Sequence, residues 1–87
     1  MKIVMSMKTE KAVLFAETIE VFKTNVKSLQ AAKRLKLLLE KLLPGCKINF
    51  DLEDCDKILR IKGDNVDKEI IIGLMNRYNY SCEPLND

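Results

Sequence analysis

Phe22-Lys23-Thr24-Asn25-Val26-Lys27-Ser28-Leu29-Gln30-Ala31-Ala32-Lys33 is the stretch that decides the fold. β-Branched and aromatic residues dominate Ile19 to Val26, which predicts a strand. Phe22, Thr24 and Val26 share one face, and Val21, Lys23 and Asn25 share the other. Ser28 is placed to cap a helix, because its hydroxyl can accept a hydrogen bond from a free N–H of the first turn. Beyond it Ala32, Leu35, Leu38, Leu39, Leu42 and Leu43 recur at helical spacing and form a broad apolar stripe. Lys33, Arg34, Lys36, Glu40 and Lys41 lie off the stripe, and Leu37 falls nearly opposite its centre. Pro44-Gly45 ends this helix.

Downstream, Ile48, Phe50 and Leu52 alternate with Lys47, Asn49 and Asp51, the pattern of a half-buried strand. Glu53-Asp54-Cys55-Asp56 is turn-like, and Lys57 to Gly63 alternates again with Leu59 and Ile61 as the inner pair. The two runs predict a β-hairpin. A calcium loop does not fit here: counted from Asp51, the positions that require Gly and Glu hold Asp56 and Lys62. A second helix is expected from about Val66 to Arg77 or Tyr78, capped by Asp64 or Asn65. Its expected buried side is Val66, Ile70, Ile71, Leu74 and Tyr78, with Ile72 on the far side. Ser81 to Leu85 has room for a closing strand, which Pro84 confines to a sheet edge.

Upstream, residues 1–18 read as an N-terminal extension, loosely attached or forming a short helix with Thr9 as its cap, with an extra strand over the apolar residues 12–16 as a further alternative. Residues 19–87 form the domain. Its element order, βαββα(β), predicts an α+β ferredoxin-like two-layer sandwich: one antiparallel sheet carrying two helices on one face.

Composition narrows the function. Eighty-seven residues suit one small domain, and a net charge of +2 is too weak a bias for nucleic-acid or membrane binding. The chain has no histidine, the commonest general base. No Gly-rich phosphate loop or paired nucleophile and base stands out, so an enzyme is not expected. The three cysteines, Cys46, Cys55 and Cys82, are odd in number and scattered, which fits a reducing compartment rather than a disulfide framework. Lys8, Glu10 and Lys11 interrupt any apolar leader, and the expected location is cytoplasmic.

Phe22-Lys23-Thr24-Asn25-Val26, the leucine-rich helix closed by Leu43-Pro44-Gly45, Ile58-Leu59-Arg60-Ile61-Lys62-Gly63-Asp64 and the late Asn79-Tyr80 together resemble the heavy-metal-associated domain family. These are small copper chaperones and the metal-binding modules of metal-pumping ATPases. The family's first loop carries Met-x-Cys-x-x-Cys, whose two thiolates clamp one soft cation, usually Cu(I). The resemblance sets Val26 at the methionine and Ser28 and Ala31 at the two cysteines. The spacing is kept and the thiols are gone. The expected function is therefore a small non-enzymatic binding or interaction module without a metal cofactor. The alternative is a soft-metal (Cu, Zn or Cd) protein that uses Cys46 and Cys82, or a cysteine of a second chain. A basic docking surface is expected at Lys27, Lys33 and Arg34, with Leu37 and Ile72 as apolar neighbours. The expected partners are an acidic protein or, weakly, a second copy of the chain.

Overall fold

A computed structural model describes residues 17–85 of the chain. Most of the expected N-terminal extension lies outside the described residues. The elements are β1 (Thr18–Thr24), α1 (Leu29–Leu42), β2 (Lys47–Asp51), β3 (Ile58–Gly63), α2 (Lys68–Arg77) and β4 (Cys82–Pro84). The four strands form one antiparallel sheet in the order β2-β3-β1-β4.

Register explains how the alternating residues find one another. Ile48 lies opposite Ile61, which lies opposite Glu20; Phe50 lies opposite Leu59, which lies opposite Phe22. Thr24 stands across from Cys82. The apolar members of this face meet Ala32, Leu35 and Leu39 of α1 and Ile71 and Met75 of α2 in one core. The result is an α+β two-layer sandwich with both helices packed into that core. Glu20 and Lys68 approach to 3.8 Å, linking β1 to the start of α2. On the opposite face Ile58 is buried outside this core, flanked in register by Asp51 and Lys23.

The sequence expectations for β1, α1 and the hairpin agree with these elements to within two residues at each end. Leu59 and Ile61 are the inner pair of β3, fully buried. The second helix differs. Its cap is Asp67, whose carboxylate accepts the Glu69 N–H at 3.0 Å, and not Asp64 or Asn65. Asn65 instead takes a left-handed φ of 52°, a conformation that serves the turn before the helix. The buried face also differs, being centred between Ile71 and Met75. At about 100° per residue, Ile72 and Leu74 flank that centre at about 80° and Ile70 lies about 120° away. Accordingly Ile72 packs against the core and Ile70 is exposed. Tyr78 follows the last helical turn as the C-cap and is also exposed.

The hairpin turn holds one unusual backbone. Lys57 has a φ of 50°, in the left-handed region that lysine rarely adopts. Its N–H donates to the Asp54 carbonyl at 2.9 Å and its Nζ donates to the Leu52 carbonyl at 2.9 Å. These bonds hold the turn in place despite the local cost.

Candidate functional site

The β1–α1 loop is built almost entirely from internal bonds. Val26, which the resemblance sets at the methionine position, is 0 % exposed and belongs to the core. The Ser28 hydroxyl accepts the Ala31 N–H at 3.2 Å, which makes it the N-cap of α1. Ala31 packs partly buried against the core. Asn25 accepts the Ser81 N–H at 2.9 Å, tying this loop to the segment leading into β4. Thr24 accepts the Val26 N–H at 3.2 Å and donates to the Lys57 carbonyl at 2.6 Å. The loop therefore presents no thiol, and the side-chain oxygens of Thr24, Asn25 and Ser28 already serve the fold. These residues do not suit a soft cation, which prefers sulfur ligands.

The cysteines do not compensate within one chain. Cys82 sits opposite Thr24 at one end of β1. Cys46 lies against Gly63, which pairs with Thr18 at the other end. Six steps along β1 at about 3.3 Å each separate those ends by about 20 Å, far beyond a shared metal. Burial pushes the Cys82 thiol up to about 12, so it stays protonated and a poor ligand at neutral pH. Cys55 is exposed in the hairpin turn between Asp54 and Asp56. The donor atoms of all three lie within 4.8 Å of one another, but Asp54 already accepts the Asp56 N–H at 2.8 Å as part of the turn.

The expected docking residues separate. Lys27, Lys33 and Arg34 are exposed, and Leu37 is 60 % exposed on α1. Ile72 packs against the core, so it forms no exposed apolar pair with Leu37. A feature not anticipated from the sequence lies along the seam between α1 and β2. One recess of about 180 Å³ is lined by Leu29, Ala32, Lys33, Lys36, Asn49 and Phe50. Another of about 250 Å³ is lined by Lys36, Glu40, Cys46, Lys47, Ile48 and Asn49. A third, of about 320 Å³, runs along Lys33, Lys36, Leu37 and Glu40. Their linings combine the apolar Leu29, Leu37 and Phe50 with three lysines and one glutamate. The signal in the sequence was the exposed spacing of Leu29, Lys33, Lys36 and Leu37, but nothing in it shows that β2 lies alongside.

No family model, curated protein or solved structure matches the chain. Among the described residues, no helix is long and apolar enough to cross a membrane.

Proposed function

We propose that this protein is a small non-enzymatic interaction module, with a ferredoxin-like scaffold related to the heavy-metal-associated domains and without their metal chemistry. The strand order β2-β3-β1-β4 and the succession βαββαβ support the scaffold reading. One observation carries the functional reading: Ser28 and Ala31 stand where the resemblance puts two thiols, and the Ser28 hydroxyl is committed to the Ala31 N–H. A loop so committed leaves recognition to the surface. The basic, partly apolar face of α1 is the surface best suited to it, and it fits an acidic protein partner.

Titration with Cu(I), Zn(II) and Cd(II) under reducing conditions tests this reading, followed through backbone amide shifts. The expected result is no stoichiometric metal binding at residues 24–32. Tight binding centred there would overturn the proposal. A site shared between two chains through Cys46 or Cys82 would appear instead as metal-dependent dimerisation abolished by Cys46→Ser or Cys82→Ser.

A further inference from the structure

We propose that the free edge of β2, with the groove beside α1, takes up an extended acidic segment of a partner protein as a fifth strand. This inference rests on the interaction-module reading and adds to it the mode of binding and the chemistry of the partner.

The backbone phase comes from one bond. The Leu85 N–H donates to the Val21 carbonyl at 2.8 Å, so odd-numbered residues of β1 bond toward β4. Even-numbered ones, including Phe22, then bond toward β3 through Leu59. Alternation sends Arg60 and Lys62 of β3 the other way, toward Asn49 and Lys47. Ile48 and Phe50 are left with their N–H and C=O groups directed away from β3. Among the described residues β2 is a sheet edge, and no strand pairs with that side. An edge of this kind is a template for strand addition.

The side chains beside the edge select the occupant. On the α1 side of the edge Lys33 and Lys36 stand beside Glu40, and Leu29 and the half-buried Phe50 offer apolar contact; Lys47 and Asp51 alternate with Ile48 and Phe50 and lie on the other side of the sheet. Leu29 is 64 % exposed. Alternate side chains of an added strand point to opposite faces, so a strand whose acidic residues turn toward α1 sets them against Lys33 and Lys36 while its apolar residues turn to the other face. Ile48 is only 2 % exposed and reaches the edge at the floor of the recess beneath Lys36 and Glu40. Both are long side chains on an exposed helix face, and they can turn aside without disturbing the core.

A second copy suits the edge less well. Antiparallel self-pairing about Asn49 would set Ile48 against Phe50 of the partner subunit. Lys36 lines two recesses together with Asn49, so the same two-fold axis would bring the two copies of Lys36 together. Such like-charge contact opposes association.

The test uses the full chain, a short peptide of alternating valine and glutamate, and a control with lysine in place of glutamate. Amide hydrogen exchange and amide shifts are read with and without each peptide. The glutamate peptide should slow exchange at Ile48 and Phe50 and shift residues 29–40; the lysine peptide should do neither. The exposed double variant Lys33→Glu with Lys36→Glu should keep the free-state spectrum and weaken binding at least tenfold. Shifts on α1 with unchanged exchange at Ile48 and Phe50 would overturn strand addition while leaving the acidic-docking reading intact. No perturbation at millimolar peptide would overturn the inference, whereas tight metal binding at residues 24–32 would overturn the underlying reading instead. Protection of Ile48 and Phe50 without peptide, accompanied by a dimer in sedimentation, would assign the edge to a second copy and also overturn the inference.

Discussion

The Thr24 hydroxyl donates to the Lys57 carbonyl at 2.6 Å, fastening the end of β1 to the strained residue of the hairpin turn. The same oxygen accepts the Val26 N–H, so one side chain orders both the loop before α1 and the turn before β3. Thr24 is 5 % exposed, and water cannot easily replace it. Thr24→Val keeps the shape and strands both partners, at a cost of about 2–3 kcal/mol. Urea unfolding measures the loss; a change under about 0.5 kcal/mol would mean that solvent satisfies these groups.

Gly63 lies in close approach to Cys46. A Cβ there would lie 2.5 Å from the Cys46 Sγ. Gly63→Ala should therefore destabilise the fold by about 1–3 kcal/mol through overpacking. Adding Cys46→Ala removes the colliding sulfur, so the double variant should be more stable than the sum of the two single losses predicts. Strict additivity in a double-mutant cycle would place the strain elsewhere.

Cys82 carries a pH signature. Burial raises its thiol from the ordinary 9.0 to about 12, so the folded state favours the protonated form. The associated stability is fully present below about pH 9 and is lost as pH rises toward 12. Comparing the chain with Cys82→Ala over pH 7 to 11 isolates this part, because every other group is common to both. The stability advantage of the native residue should shrink as pH rises. If the difference stays constant with pH, the thiolate is not disfavoured in the fold.

The resemblance to metal-binding domains also makes a prediction of gain. Ser28→Cys combined with Ala31→Cys returns the Cys-x-x-Cys spacing to the start of α1. That double variant should bind Cu(I) stoichiometrically under reducing conditions, with shifts confined to the loop, while either single variant binds far less. Thermal unfolding should show a loss of about 1 kcal/mol without metal, from the missing cap. A well-folded double variant with no affinity for Cu(I) would falsify the proposed relationship.

How much was legible follows from which signals are local. The alternation of Phe22, Thr24 and Val26, of Ile48 and Phe50, and of Leu59 and Ile61 reports which side of a strand is buried, whatever its neighbours. The α1 stripe and the Ser28 cap are equally local. The short second helix was harder. Its apolar residues Ile70, Ile71, Ile72, Leu74 and Met75 spread over about 200° of its circumference, and the face expected from periodicity wrongly took in Ile70 and Tyr78 and left out Ile72. Packing against the sheet resolved the face in favour of Ile71 and Met75.

The amino-acid order by itself determined the elements, the Ser28 cap of α1, and the absence of thiols at residues 28 and 31, because each depends on residues adjacent in the chain. Tertiary structure alone decided that Cys46 and Cys82 lie at opposite ends of the sheet, that Thr24 holds the distant Lys57, and that, among the described residues, the unpaired side of β2 lies next to the lysines of α1. These relationships join residues far apart in sequence. They exist only once hydrophobic burial and strand register have brought the elements together.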